Sequence, residues 1–309
     1  MKTIQNEKIL ITGPTGQIAF PLAVELARNN EVWGGIARFK DEAKRQRLEA
    51  LGIITRAVDL SNPDFHELPD DFTCVIHLAA FIGGKPNFDR ALSVNAEGTG
   101  LLMSHCRKAR AFFSMSTCSI YGLPEDPYHP VKESDPLCGD PLPQSPTYAV
   151  SKTAQEAVAR FAARLWNLPT TIARMNVSYG PNGGLPAYQF DSMLADKPIP
   201  ILADRPSVCS PIHQDDINAQ IAGLLAAASV PATIVNWGGD DPVDVETYCG
   251  YMGEIADLNP KFQRIRDAVR QTVTDNTRRR ELVGDCRVKW REGMRQMIAA
   301  RHPELKLTA

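Results

Sequence analysis

Tyr148 and Lys152 stand four residues apart, and on a helix that spacing puts both side chains on one face in adjacent turns. A phenol that titrates at about 10 is a poor base at neutral pH. A neighbouring ammonium favours the phenolate and draws its titration toward the working range, so the pair suits acid–base catalysis at a hydroxyl or carbonyl. The same pair also occurs on ordinary solvated helices. Upstream, the run Ser116-Thr117-Cys118-Ser119-Ile120-Tyr121-Gly122 follows an apolar stretch. There Thr117 supplies a second donor to an oxygen that gains negative charge. A Ser/Thr turn capping a strand accounts for one such hydroxyl, less easily for the run.

A centre of this kind needs a hydride carrier. The segment Ile9-Leu10-Ile11-Thr12-Gly13-Pro14-Thr15-Gly16-Gln17-Ile18-Ala19 reads as strand, tight turn and helix start. Gly13 permits the turn, Gly16 lets backbone N–H groups approach a pyrophosphate, and Ala19 lets helix and strand pack closely. The helix N-terminus then turns partial positive charge toward the phosphates. Thr15, Gln17 and Ile18 complete that cradle. Sites that choose NAD usually carry an acidic residue at the end of the second strand. Here the residues are Ile36-Ala37-Arg38-Phe39-Lys40, and Arg38 is a bidentate donor suited to a 2′-phosphate, which favours NADP over NAD. The alternative is a solvated arginine after a strand. Asp59 closes the third strand and either accepts from an adenine amino group or caps the turn Leu60-Ser61-Asn62.

The elements that must hold these residues alternate. Apolar runs at 9–11, 32–37, 53–58, 74–78, 111–116 and 170–175 are separated by helical patterns at 18–28, 40–51, 87–109 and 148–166. That rhythm predicts right-handed βαβ units and an α/β fold: a Rossmann-type, doubly wound parallel sheet with helices on both faces. The proline-rich stretch between Tyr121 and Pro146 is a long loop at the carboxyl end of the sheet, where such folds bind ligands. After Gly180 the rhythm weakens. The expected organisation is a dinucleotide-binding domain over 1–178, with strand segments near 210–212 and 233–237 (within 208–237) returning to the sheet. A smaller C-terminal substrate-binding lobe is expected over 179–207 and 238–309.

Composition narrows the partners. The 309 residues are 43% hydrophobic and 23% charged with a net charge of -2, enough for a large core and without the basic field that nucleic acid requires. The N-terminal apolar run stops at Gly13 and the stretch 221–230 ends at Pro231, both too short to span a membrane. A cytoplasmic protein is expected. Seven cysteines without a CxxC pair and six histidines without metal spacing fit reduced thiols and no metal.

Taken together, Thr12 to Ala19, His77-Leu78-Ala79-Ala80, Asn95, Ser116 to Gly122, Tyr148-Ala149-Val150-Ser151-Lys152, Arg174 to Pro181 and Pro211 to Asp216 resemble the extended short-chain dehydrogenases of the NAD-dependent epimerase/dehydratase family. The resemblance implies Thr117, Tyr148 and Lys152 as catalytic residues. It implies Gly13, Gly16, Arg38, Asp59, Leu60, Leu78, Ala79 and Ala80 around the cofactor, with Tyr148 and Lys152 reaching the nicotinamide end. It sets Thr117, Cys118, Asn176 and Cys209 toward the substrate, makes Asn95 a brace, and implies a homodimer paired through 87–109 and 148–166.

The chain departs from the family pattern in two places. Counting back from His213, Cys209 stands where sugar-nucleotide members carry an arginine for the diphosphate, with Arg205, Arg264 and Arg266 as nearby substitutes. Cys118-Ser119 stands where dehydratases carry Asp-Glu, which disfavours water elimination. These departures, with Arg38, favour a reductase or dehydrogenase for a small non-nucleotide molecule over a nucleotide-sugar epimerase with tightly held NAD. A redox-sensing protein that binds without turnover is a third reading, opposed by the intact Thr117, Tyr148 and Lys152.

Overall fold

The structure, a computed structural model, describes residues 4–36, 42–83, 85–137 and 145–308. The chain divides into two compact units, one of Met1–Thr117, Ser145–Arg174 and Asn218–Val235, the other of Cys118–Gln144, Met175–Ile217 and Asn236–Ala309. The stretch after Thr117, read from sequence as part of 1–178, groups with the second unit.

In the first unit β1 (Lys8–Thr12), α1 (Ala19–Leu26), β2 (Glu31–Ile36), α2 (Glu42–Ala50), β3 (Ile54–Ala57) and β4 (Cys74–His77) follow one another. Then come α3 (Phe88–Leu92), a π-helical turn (Ser93–Glu97), α4 (Gly98–His105), β5 (Ala111–Thr117), α5 (Tyr148–Leu165) and β6 (Thr170–Met175). The second unit holds β7 (Ser178–Gly180), β8 (Gly183–Gly184), α6 (Leu185–Leu194), β9 (Ile199–Leu202), β10 (Val208–Cys209) and β11 (Ile212–His213). After α7 (Gln214–Ala226) and β12 (Thr233–Trp237) the chain continues as β13 (Val243–Asp244), α8 (Val245–Ala256), β14 (Phe262–Ile265), α9 (Thr277–Val283) and α10 (Trp290–Arg301).

The main sheet has seven strands in the order β12-β6-β5-β4-β1-β2-β3, a Rossmann-like arrangement. β1 pairs in parallel with both β2 and β4, Ile9 standing opposite Val32 on one side and Cys74 on the other. Chain order therefore reverses between β1 and β4, and the carboxyl ends of those two strands form the crevice where open α/β sheets take ligands. Ile9, Leu10, Ile11, Val75, Ile76, Phe112 and Phe113 are fully buried, as strands covered on both faces require.

Two expectations are corrected. The pattern over 87–109 predicts one regular helix; the helical run from Phe88 to His105 instead carries a π-helical turn over Ser93–Glu97 between two α segments, and Asn95 within that turn is buried with its side chain bonded to Phe81. Extra-residue turns of this kind occur where a side chain is redirected, often at functional sites. The segment near 210–212 does not return to the main sheet. β11 pairs with β7 in a three-stranded sheet of order β11-β7-β8, and β12 takes the position beside β6.

The second unit has its own core, in which Tyr179, Phe190, Ile199, Tyr248, Met252, Met294 and Ile298 are buried together. Among the described residues no helix is long and apolar enough to cross a membrane.

Candidate functional site

The turn after β1 is built for close approach. Gly13 sits at φ +67°, a region that side chains avoid, and a Cβ there would lie 3.2 Å from Ala79 Cα. Its N–H donates to Gly35 O (2.8 Å), and Gly16 N–H donates back to Gly13 O (2.9 Å). Ile18, at the N-cap of α1, offers no side-chain acceptor to the helix. A helix N-terminus that directly follows such a glycine turn is the arrangement a pyrophosphate uses. Thr15, Gln17 and Ile18 all lie on this turn, so the residues present fit a dinucleotide.

The residues after β4 are locked to the same turn. Leu78 and Ala79 both donate backbone N–H to Thr12 Oγ1 at 3.1 Å. Thr12 Oγ1 also meets His77 Nδ1 at 2.8 Å, and His77 Nε2 meets Thr99 Oγ1 at 2.8 Å. Thr99 spends its proton on Asn95 O (2.7 Å), so His77 carries its own proton on Nε2 and accepts from Thr12 on Nδ1. Burial, then the nearby Lys152 charge, pushes His77 down to about 3, which keeps it neutral. Asn95 accepts from Phe81 N and donates to Phe81 O and to Ser151 Oγ; Ser151 donates on to Tyr148 O. One chain of hydrogen bonds thus links the cofactor turn to the first turn of α5.

Tyr148 opens α5, its N–H donating to Ser145 O (3.1 Å). Lys152, one turn on, is 1% exposed. Its ammonium donates to Met115 O (2.6 Å) and to Gln155 Oε1. Burial pushes the Lys152 titration down to about 7, opposed in part by Glu156. Glu156 forms a buried, two-pronged pair with Arg174 (Nε–Oε1 3.0 Å, Nη2–Oε2 2.8 Å) and accepts from Ser116 Oγ at 2.6 Å. This ties α5 to β5 and β6, with Thr117, 7% exposed, at the end of β5. Thr117, Tyr148, Lys152 and the Gly13 turn therefore belong to one unit.

The remaining expected cofactor residues divide. Arg38 lies outside the described residues. Asp59 accepts from Ser61 N (3.0 Å) and Ser61 Oγ (2.7 Å), with Arg90 at 3.5 Å. The Ser61 bonds hold its carboxyl below the usual carboxylate range, so it caps its turn. The Leu60 side chain belongs to the core of the first unit. Leu78, Ala79 and Ala80 follow β4 directly.

In the second unit Cys118, Ser119, Tyr121, Leu123, Arg270, Gln271 and Thr272 line a small cavity of about 20 Å3. Gln271 Oε1 is buried without a hydrogen-bond partner. Burial pushes the Cys118 thiol up to about 11, so it presents a neutral group. Asn176 is saturated: it donates to Thr272 O and Thr274 Oγ1 and accepts from Val177 N and Ser210 N. It braces the segment that supplies Gln271 and Thr272. Cys209 is fully buried with Sγ against Val243 O (3.7 Å), and burial raises its thiol far above the usual range.

Of the guanidiniums read as substitutes, Arg205 donates to Pro124 O (2.6 Å) and Arg264 pairs with Glu246 (2.5 Å). Arg270 lines the cavity instead, and sequence reasoning missed it along with Gln271 and Thr272. They sit in an irregular segment after β14 that carries no motif. Glu156 and Gln155 were missed although they lie between two motifs, since their partners are distant in sequence.

The description of the NAD dependent epimerase/dehydratase family matches residues 9–238. The UDP-N-acetyl-alpha-D-glucosaminuronate decarboxylase of Bacillus cytotoxicus is 24% identical, over 95% of this chain and 97% of that protein. The probable UDP-glucuronate 4-epimerase of Rhizobium meliloti is 25% identical, over 78% of this chain and 80% of that protein. The UDP-glucuronic acid 4-epimerase of Bacillus cereus, solved with UDP-glucuronic acid and NAD, superposes with a TM-score of 0.81 at 22% identity, covering 96% of this chain and 99% of that one.

Proposed function

This chain belongs to the NAD dependent epimerase/dehydratase family, and from that premise we propose that it is a nucleotide-sugar epimerase acting at a secondary hydroxyl. The observation that carries the reading is the buried Lys152, one turn after Tyr148 on α5 and in the same unit as Thr117 and the Gly13 turn. Bound at that turn, NAD supplies a hydride acceptor that later returns the hydride. The Tyr148 phenolate takes the proton of the substrate hydroxyl while Thr117 donates to the same oxygen, stabilising the charge that gathers on it. In the return half-reaction Tyr148 would give the proton back to the same oxygen, and an inverted carbon without net redox would be the outcome. Lys152 holds the positive charge that favours the phenolate.

The nucleotide-sugar substrates of the relatives support this reading over the small-molecule reductase that Cys209 and Arg38 favoured in the sequence. NAD in the Bacillus cereus enzyme supports NAD over NADP. Cys118, a thiol raised to about 11 by burial, is a far weaker acid than a carboxyl group and carries no base, which disfavours water elimination. Leu101 on α4 and Val150, Phe161 and Leu165 on α5 are exposed apolar residues, which supports a homodimer paired through these helices.

The test is to denature the purified protein, identify any released nucleotide by mass, and incubate fresh protein with UDP-glucuronic acid, UDP-glucose and UDP-N-acetylglucosamine under proton NMR. Conversion to an epimer with no net absorbance change, lost in Tyr148→Phe, is the expected result. Release of carbon dioxide would make the enzyme a decarboxylase. Stoichiometric NADPH consumption with simple ketones, and no epimer, would restore the reductase.

A further inference from the structure

Gln155 is 1% exposed and has no part in the chemistry described above. Its amide orientation is fixed by its partners. Nε2 donates to Ser114 Oγ (2.9 Å) and Met115 O (3.3 Å), and Oε1 accepts from the Lys152 ammonium. The reversed amide would set two donors against the ammonium, which buried groups do not tolerate. We propose that Gln155 is a positioning residue for the proposed reaction: its carbonyl oxygen favours the charged form of Lys152 and aims it, so that Tyr148 remains activated up to neutral pH. This rests on Lys152 acting as assigned above.

Among the described residues the charged surroundings of Lys152 are few. α5 contributes Tyr148 and Glu156, and Glu156 is already paired with Arg174 of β6. β4 contributes the neutral His77. β5 contributes the Met115 carbonyl and the hydroxyls of Ser114 and Ser116, none of them charged. An ammonium so buried depends on its hydrogen-bond acceptors, and among the described residues these are Met115 O and Gln155 Oε1.

The experiment compares wild type, Gln155→Leu and Gln155→Glu, each loaded with NAD. It records kcat against pH and, separately, ionisation of Tyr148 from near-ultraviolet tyrosinate absorbance, with Tyr148→Phe subtracted in each background. Loss of a hydrogen bond to a charged group corresponds to about one to two pH units. In Gln155→Leu the alkaline limb of kcat moves down by that amount and Tyr148 ionises at higher pH. In Gln155→Glu the alkaline limb moves up. If Gln155→Leu fails to fold, the direction of the Gln155→Glu shift decides. Lower turnover with both readouts unmoved overturns the proposal and leaves Gln155 a packing residue. A wild type in which Tyr148→Phe keeps its activity overturns the Tyr148/Lys152 assignment instead.

Discussion

Replacing Lys152 by methionine should abolish turnover and make the protein more stable. The side chain is fully buried and its titration falls from 10.5 to about 7. A folded-state value below the unfolded one means that the unfolded chain binds more protons between those limits, so the burden of burying the ammonium is complete below about pH 7 and fades as pH rises toward 10.5. A fall of that size corresponds to about 5 kcal/mol at or below neutrality. Methionine fills a similar volume without charge. It leaves Gln155 Oε1 without its donor, at about 1–3 kcal/mol, whereas Met115 O still accepts from Gln155 Nε2. The net gain is about 2–4 kcal/mol. Urea unfolding of both proteins from neutral to alkaline pH measures it, and the advantage of Lys152→Met should shrink by about 1.4 kcal/mol per pH unit above neutrality. A Lys152→Met protein less stable than wild type at neutral pH, or a difference that does not change with pH, would refute the reasoning.

Three other substitutions test the surrounding network. Glu156→Leu strands the buried Arg174 guanidinium and should cost about 3–5 kcal/mol in thermal or urea unfolding, while the double replacement with Arg174→Met recovers most of the loss. His77→Gln removes a base held neutral at about 3. The wild type should lose stability as pH falls from about 6.5 toward that value, by roughly 1.4 kcal/mol per unit from this residue, and the variant should show a flatter acid limb. Gly13→Ala places a side chain at φ +67° and 3.2 Å from Ala79 Cα. Calorimetry should show NAD binding weakened at least roughly tenfold, since both the turn and its approach to phosphate depend on the missing Cβ.

Most of the first unit was legible in the sequence because its signals are local. The strand, turn and helix from Ile9 to Leu26, the Ser116-Thr117 end of β5 and the Tyr148/Lys152 spacing each need only a few adjacent residues, and all of these belong to the first unit. The π-helical turn at Asn95 was not legible, because the partners of the Asn95 side chain, Phe81 and Ser151, lie fourteen and fifty-six residues away. The second unit assembles a cavity from residues 118–123 and 270–272, stretches with neither periodicity nor motif in common. Counting back from His213 singled out Cys209, yet residue spacing could not show that Arg205 donates to Pro124 O, that Arg264 pairs with Glu246 or that Arg270 lines the cavity.

The buried polar layer between β5 and α5 shows why those local signals were sufficient for the chemistry. β5 is buried along its whole length, so its alternate residues Ser114 and Ser116 face one side, and there they meet Gln155 and Glu156. An apolar layer would be the more stable filling of that space. A lysine, a glutamine, a glutamate and an arginine, each at most 3% exposed, persist there with their hydrogen bonds almost fully matched. Such a layer gains little stability and a great deal of orientation: it fixes the face of α5 that carries Tyr148 and Lys152. A local rule broken at this expense marks a working site, and the gain in stability expected on removing Lys152 measures what the enzyme gives up to keep it charged.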